Sequence, residues 1–219
     1  MAYLNKTFRE PISGLTHLAG AILAVLGTLG LLLPAFQTRN MLQVVTFAVF
    51  GASLTWLYSA SSAYHLLRVS DGATLWLRRL DHTMIYFLIA GTYTPVCLIA
   101  LSGAWGWTLF GVIWALALIG ASLTLFYLNK PRWLTAAIYI LMGWLVVVAL
   151  APLLQRMPPA GLFWAVLGGL FYTGGAVIYS LKRPNWVPGI FGFHELWHLF
   201  VLAGSAAHFI MIYGVIRFL

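Results

Sequence analysis

The sequence predicts an all-α membrane protein, a single bundle of seven transmembrane helices that occupies residues 1–219. Of its 219 residues, 62% are hydrophobic and only 7% are charged, and the mean hydropathy is +0.94. Because soluble domains carry about 25% charged residues, this composition excludes a water-soluble globular fold. The charged residues separate apolar runs of about 20 residues or more, the length that crosses the hydrocarbon core of a bilayer. Seven such spans leave only short loops and no room for a domain outside the membrane.

Charged residues and one turn mark the ends of the first four spans. The first apolar run lies between Glu10 and Arg39, and the second follows Arg39. No fixed charge occurs between Asp81 and Lys130, a stretch long enough for two spans, and the sequence SGAWGW at 102–107 supplies the turn between them. The first four predicted helices are therefore 15–36, 42–67, 80–101 and 105–127.

Basic residues also bound the last three spans. The fifth lies between Arg132 and Arg156, the sixth ends at Leu181, and most of the seventh lies between Glu195 and Arg217. All seven runs are continuous rather than alternating, which favours helices, because a helix satisfies every backbone polar group inside lipid. The last three predicted helices are 133–154, 160–181 and 192–216.

The distribution of basic residues predicts a cytoplasmic N-terminus and a C-terminus outside. The net charge of +8 does not indicate a nucleic-acid partner, because the basic residues are scattered between apolar runs instead of clustering on one face. With the N-terminus inside, cytoplasmic segments hold nine basic residues and outer segments hold three, as the positive-inside rule requires. The nine are Lys6, Arg9, Arg68, Arg78, Arg79, Lys130, Arg132, Lys182 and Arg183, and the three are Arg39, Arg156 and Arg217.

Several ionisable side chains fall inside the predicted spans, where they are energetically unfavourable and therefore candidates for function. His65 lies in the last turn of the second helix, and Ser61 lies one turn deeper on the same face. Asp81 is predicted at the start of the third helix, and His194 and His198 share one face of the first turns of the seventh. These residues come from three helices but share one depth, at the inner leaflet.

Three imidazoles at one depth predict a zinc site. They suffice for a tetrahedral zinc ion that keeps its fourth position for water, and a spacing of i, i+4 on one helix lets two of them reach one ion. The predicted ligands are His65, His194 and His198. Each alone has an alternative as a hydrogen-bonded interfacial residue, but their convergence favours a metal. The single cysteine, Cys97, lies in an apolar run and is expected in the core.

The remaining ionisable residues are expected to have other roles. His82 points about 100° away from its neighbour at position 81 and is predicted to pack. His17 is expected to be structural, with support of the metal ligands as the alternative. His208 lies about 15 Å farther along its helix than the predicted ligands and is expected to form an interhelical hydrogen bond. Glu195 is expected either to support the ligands or to contact lipid headgroups.

Six sequence stretches carry a resemblance that covers essentially the whole chain. They are EPISGLTH at 10–17, SSAYH at 61–65, LDHTMIY at 80–86, GTYTP at 91–95, HELWH at 194–198 and AAHF at 206–209. With these stretches the sequence resembles the hemolysin-III/PAQR family, the progestin and adiponectin receptors and their bacterial relatives. Its combination of S-x-x-x-H, D and H-x-x-x-H is shared with the alkaline ceramidases. The short chain is similar to bacterial members, which implies a multi-pass protein of the bacterial inner membrane.

The resemblance implies a seven-helix bundle that binds zinc near its cytoplasmic side. Carried over by position, the ligands are His65, His194 and His198. Asp81 is similar to the aspartate that contacts the zinc-bound water, and Ser61 is similar to the serine beside it.

Two functions remain open from the sequence, and a third is disfavoured. The first is a zinc-dependent hydrolase of lipid amides or esters in membrane lipid homeostasis, with Asp81 as general base and Ser61 as hydrogen-bond donor. Its partners are membrane lipids, as substrates or as free fatty acids. The second is a non-catalytic sensor or receptor of the membrane state, in which zinc joins helices two, three and seven. The third, a pore-forming haemolysin, needs a soluble state that seven apolar spans do not permit.

The predicted topology can be tested with a reporter fused after Leu219. We expect the reporter outside the cytoplasm, because the basic residues require an odd number of crossings from an inside N-terminus. A cytoplasmic reporter would remove one span and separate His194 from His65 in depth, and the predicted site would then be wrong.

Overall fold

The chain folds into seven long apolar helices, as seen in a computed structural model that describes residues 7–127, 131–187 and 190–219. Each helix is long and apolar enough to cross a membrane, and the described residues contain no strand beyond one isolated bridge between Val187 and Phe191. The predicted seven-helix membrane bundle is thereby confirmed. The helices are α1 (Pro11–Gln37), α2 (Met41–Leu66), α3 (Asp71–Leu101), α4 (Gly103–Phe126), α5 (Arg132–Arg156), α6 (Pro159–Leu181) and α7 (Phe193–Phe218).

Most helix ends lie within a few residues of the predicted ones, but the start of α3 does not. This helix begins at Asp71, where the side chain of Ser70 accepts a hydrogen bond from the Ala73 N–H, whereas the prediction started it at position 80. The charged residues before Asp81 belong to the helix and not to a loop. A helix can continue beyond the apolar core wherever its polar residues favour a helical backbone. Asp81 is therefore well inside α3, and its predicted position at the helix start is wrong.

Two helices change their hydrogen-bonding pattern midway. α3 becomes a π-helix at Val96–Leu101, directly after Pro95, which has no N–H to donate. α5 passes through a 3₁₀ segment at Leu145–Ala149. The Tyr93 hydroxyl of α3 lies at this break, 2.8 Å from the Gly143 carbonyl, and accepts a hydrogen bond from the Val146 N–H. A buried tyrosine thus satisfies backbone groups that the interrupted helix leaves free in lipid.

The bundle encloses α3, the most buried of the seven helices. α1 packs on α2, α2 on α3 and α6 on α7, and α1 also contacts α7. Side-chain hydrogen bonds join the interior: the hydroxyl of Tyr58 donates to Ser205, and the hydroxyl of Tyr172 lies 2.7 Å from the same Ser205 oxygen. The His208 Nε2 lies 3.2 Å from the Ala165 carbonyl of α6, which confirms the interhelical hydrogen bond predicted for His208.

The predicted ligands lie at one end of the bundle, which we call the histidine end. This end is formed by the starts of α1, α3, α5 and α7 and by the ends of α2, α4 and α6. Its orientation toward the cytoplasm remains a prediction. Two of the basic residues behind that prediction, Lys6 and Lys130, lie outside the described residues.

A pair of glycines on α4 tests the close packing of α4 against α3. A methyl group at Gly120 would overlap the ring of Tyr86, which is itself buried against Tyr139. We expect Gly120→Ala to destabilise the protein by about 1–3 kcal/mol, the usual effect of overpacking, and to lower its melting temperature in detergent. Gly111 on the same helix is the control, because a methyl group there meets no atom within 4 Å. Equal melting temperatures for both variants would contradict this packing.

Candidate metal centre

Three histidines from two helices converge at the histidine end. His65 lies in the last turn of α2, and His194 and His198 lie in the first turns of α7. Each offers one nitrogen, and these three atoms all lie within 4.8 Å of one another. His65 and His198 are buried, whereas His194 is partly exposed. The structure thus brings together the three ligands that the sequence predicts.

Two of the three donor atoms are spaced as the ligands of a zinc ion are. The Nε2 atoms of His194 and His198 lie 3.2 Å apart. Two ligands of a tetrahedral zinc, each about 2.0–2.1 Å from the ion, are about 3.3 Å apart. The Nε2 of His65 is buried and has no hydrogen-bond partner among the described residues, although a buried polar atom normally has one. Imidazole is also a donor that suits zinc.

Glu10 fixes the orientation of His65. The backbone N–H of Glu10 donates to the His65 carbonyl at 2.8 Å, which holds the start of α1 against the end of α2. The Glu10 Oε2 then lies 2.6 Å from the His65 Nδ1. A carboxylate in this position assigns the ring proton to Nδ1 and leaves Nε2 as the ligand atom, the arrangement common behind metal-bound histidines.

The electrostatics of Glu10 agree with that role. Burial raises the pKa of its carboxyl, but the hydrogen bond with His65 and the electrostatic effect of its neighbours, including the charge of Arg9, lower it more. The resulting pKa lies below the usual value, so Glu10 is ionised at neutral pH. Sequence reasoning assigned Glu10 no role, because it precedes the first apolar run and no helical spacing relates it to His65.

Asp81 and Ser61 line the small cavity that lies beneath the histidines, together with His194 and His198. Ser61 is buried on α2, one turn from His65. The side chain of Asp81 is largely buried on α3, with Oδ2 3.7 Å from the Nδ1 of His82. The placement of both residues beside the three imidazoles agrees with the sequence-based expectation, and their chemical roles remain predictions.

His17 contacts the metal ligands directly. Its ring stacks on that of His198, with centroids 3.8 Å apart and planes inclined by 28°, and meets the edge of Tyr58. It is buried and lines the same cavity as Asp81. Among the two roles expected for His17, this contact favours support of a ligand.

His82 and Glu195 have structural partners. The His82 Nδ1 donates to the Arg78 carbonyl at 2.9 Å, which agrees with a packing role, although the ring also lines the cavity. Glu195 accepts hydrogen bonds from the Gly192 N–H at 2.8 Å and from the Ser13 hydroxyl at 3.3 Å. It thereby caps α7 and joins it to α1, a role that the sequence did not predict.

Three cavities lie in a row from the histidines into the bundle, and beyond the first, which Asp81 and Ser61 also line, they are almost wholly apolar. The first, beneath the histidines, shares Leu57 and Val201 with the second. The second shares Trp144 and His208 with the third, which has a volume of about 240 Å³ and reaches Met157 beyond the far end of α5. We call this series the channel.

On the other side of the histidines, a basin of about 800 Å³ opens at the histidine end of the bundle. Residues His82, Tyr179 and His194 line both this basin and the first cavity of the channel. Of the three predicted ligands, His194 lines both spaces, His65 lines the basin and His198 lines the first cavity. The three imidazoles therefore lie between the open basin and the channel.

Comparisons with known proteins agree with these findings. The sequence model of a family described as Haemolysin-III related matches residues 5–209. The chain is 37% identical over 210 residues to Hemolysin-3 of Bacillus cereus, covering 95% of this chain and 93% of that protein. It is 35% identical over 204 residues to the Hemolysin-3 homolog of Bacillus subtilis (strain 168), covering 93% and 92%. It is also 26% identical over 176 residues to the monocyte to macrophage differentiation factor of Homo sapiens, covering 77% and 69%.

Metal analysis of the purified protein tests the site. We expect about one zinc ion per chain and a sharp loss of zinc in His65→Ala, His194→Ala and His198→Ala, because three ligands leave no redundancy. His208→Ala is the control, since His208 also lies on α7 but bonds to α6 instead. An equal loss of zinc in His208→Ala would mean that the ligands are wrongly assigned.

Proposed function

The chain belongs to the haemolysin-III-related family of multi-pass membrane proteins, and within that family we propose that it is a zinc-dependent intramembrane hydrolase of lipid amides or esters. The observation that carries this proposal is the position of the three histidines where the basin meets the channel. A membrane lipid has two matching parts, a polar headgroup for the basin and an acyl chain for the channel. An ester or amide bond joins these two parts.

In this proposal a lipid lies across the two spaces with its reactive bond at the histidines. Beyond the first cavity the channel walls are almost wholly apolar, with side chains such as Leu57, Ile89 and Trp144, and so accept an acyl chain by burying its surface from water. The basin is lined by charged and polar side chains as well as aromatic ones and accepts a headgroup. The bond between the two then lies beside His194, which faces both spaces.

The side chains around the histidines have complementary roles in this proposal. A zinc ion held by three imidazoles supplies Lewis acidity and brings the pKa of a coordinated water near 7. Asp81 accepts the proton of the attacking water at its carboxylate. Ser61 donates its hydroxyl proton in a hydrogen bond to the carbonyl oxygen of the substrate. Glu10 holds His65 in the ligating tautomer through Nδ1.

The cellular setting follows from the same proposal. The histidine end faces the cytoplasm of a bacterium, in the inner membrane, and the substrate enters from the lipid phase. The protein then acts in membrane lipid homeostasis. Lipids and their fatty acid products are its partners, and nucleic acid is not.

A non-catalytic sensor is the second candidate, and one observation favours it. The cluster connects three parts of the bundle, because Glu10 precedes α1, His65 ends α2 and His198 belongs to α7, where it stacks on His17. A metal ion at this point would hold these helices together whether or not it reacts. One relative is named Hemolysin-3 and another Hemolysin-3 homolog, and these names refer to haemolysis. A pore former remains disfavoured here, because seven apolar helices need a membrane throughout.

The variant Asp81→Asn separates the hydrolase from the sensor. Asparagine keeps the size of aspartate but accepts no proton, so we expect zinc content to be retained and turnover to fall by about 10²–10⁴-fold, as for a lost general base. The measurement pairs zinc analysis with mass-spectrometric detection of products from a library of lipid amides and esters, using the protein in lipid vesicles.

Asp71→Asn is the matched control, because Asp71 lies exposed in the first turn of the same helix. It should leave both zinc and turnover unchanged. Retained zinc with unchanged turnover in Asp81→Asn would remove Asp81 from the chemistry. A wild-type protein that holds zinc but releases no product from any lipid would favour the sensor.

A further inference from the structure

The basin at the histidine end is lined by two arginines that have no acidic partner among the described residues. Arg78 of α3 and Arg132 of α5 both line it. In the part of the chain that the structure describes, neither guanidinium forms an ion pair with a carboxylate. Two positive charges therefore face the same space beside the histidines.

The guanidinium of Arg132 is held in place by aromatic rings rather than by a charge. Its Cζ lies 5.2 Å from the ring centroid of Tyr179 and 5.8 Å from that of Phe193. Rings near a guanidinium fix its plane but leave the N–H groups at its edge free to donate hydrogen bonds. Tyr179 and Phe193 also line the basin, so the ordered cation lies at its wall.

The two carboxylates that line the basin are already engaged. The Oε2 of Glu10 lies 2.6 Å from the Nδ1 of His65, and its Oε1 lies 3.7 Å from the Nε of Arg9. Glu195 accepts hydrogen bonds from Gly192 and from Ser13. Both carboxylates therefore have other partners, and among the described residues neither forms an ion pair with Arg78 or Arg132.

Membrane topology alone does not explain this placement. The positive-inside rule requires basic residues on one side of the membrane but not in one cavity. Arg79 shows the difference: it follows Arg78 on the same helix, but its Cζ lies 5.2 Å from the ring centroid of Trp76, and it does not line the basin.

We propose that Arg78 and Arg132 form a binding site for a phosphate group carried by the headgroup of the lipid whose acyl chain occupies the channel. Guanidinium groups match the oxygens of phosphate with paired hydrogen bonds, and two of them neutralise the double negative charge of a phosphate monoester or the single charge of a phosphodiester. This inference rests on the proposed function, from which it takes the orientation of the lipid, with the acyl chain in the channel and the headgroup in the basin. It adds the class of substrate, which is an anionic phospholipid or a lipid phosphate. Binding of the headgroup itself requires no turnover.

The test compares three probes on the purified, zinc-loaded protein in dodecyl maltoside, with affinity measured by titration calorimetry. The probes are dodecyl phosphate, dodecylphosphocholine and inorganic phosphate. We expect dodecyl phosphate to bind at least about tenfold more tightly than the other two, because it alone combines a long alkyl chain with a phosphate that no choline neutralises. Arg78→Gln and Arg132→Gln should each weaken its binding by about tenfold, as for a lost hydrogen bond to a charged group.

Arg79→Gln is the matched control and should bind dodecyl phosphate as the wild type does. Zinc content and melting temperature are measured for every variant, so that a misfolded protein is not mistaken for a loss of binding. If either basin variant folds poorly, Arg78→Lys or Arg132→Lys replaces it, because lysine keeps the charge but not the paired hydrogen bonds and should still bind more weakly.

Three outcomes would overturn the inference. In the first, the wild type and both basin variants bind dodecyl phosphate with equal affinity. In the second, the wild type binds dodecyl phosphate and dodecylphosphocholine with equal affinity. In the third, it binds inorganic phosphate as tightly as dodecyl phosphate. The last would assign the arginines to a free anion. Arginine-dependent binding of dodecyl phosphate without hydrolysis of any lipid would refute the proposed function only. Hydrolysis by a protein that does not discriminate among the probes would refute this inference only.

Discussion

The absence of water in the bilayer core is the constraint on which the rest of this structure depends, because every buried polar group must find its partner inside the protein. The bundle meets this demand with hydrogen bonds between helices, such as those of Ser205 with Tyr58 and Tyr172. The histidine cluster departs from the pattern. The Nε2 of His65 has no partner among the described residues, although its Nδ1 is held at 2.6 Å by Glu10. One bound metal ion would give that nitrogen a partner.

The same constraint explains how much of the protein the sequence predicts. Fixed charges end apolar runs, so seven helices and the shared depth of His65 and His194 follow from hydropathy and helical spacing alone. The start of α3 at Asp71 does not follow, because a helix that has left the hydrocarbon core is no longer limited by hydropathy. The role of Glu10 depends on the pairing of the start of α1 with the end of α2, a tertiary contact that leaves no pattern in either segment.

The irregular parts of α3 and α5 shape the space that the site uses. The 3₁₀ segment of α5 begins directly after Trp144, a residue of the channel wall, and Tyr93 both stabilises this break and lines the channel. An uninterrupted α5 would offer no free backbone groups to Tyr93 at this position. The break that hydropathy did not predict is thus part of the wall of an apolar space inside the bundle, and a buried tyrosine satisfies its backbone.

The number of ligands bears on whether a metal at this site is structural or catalytic. Structural zinc sites are closed by four protein ligands, whereas catalytic sites use three and keep one position open. Among the described residues, the group that can share one ion contains three histidines and no fourth donor. His17 is not part of this group, and its ring stacks on that of His198 with centroids 3.8 Å apart. The cavity next to the three imidazoles is lined by Asp81 and Ser61, a proton acceptor and a hydrogen-bond donor. A metal ion held by the three imidazoles would keep a position for water, and groups of this kind beside it would favour chemistry over a purely structural role.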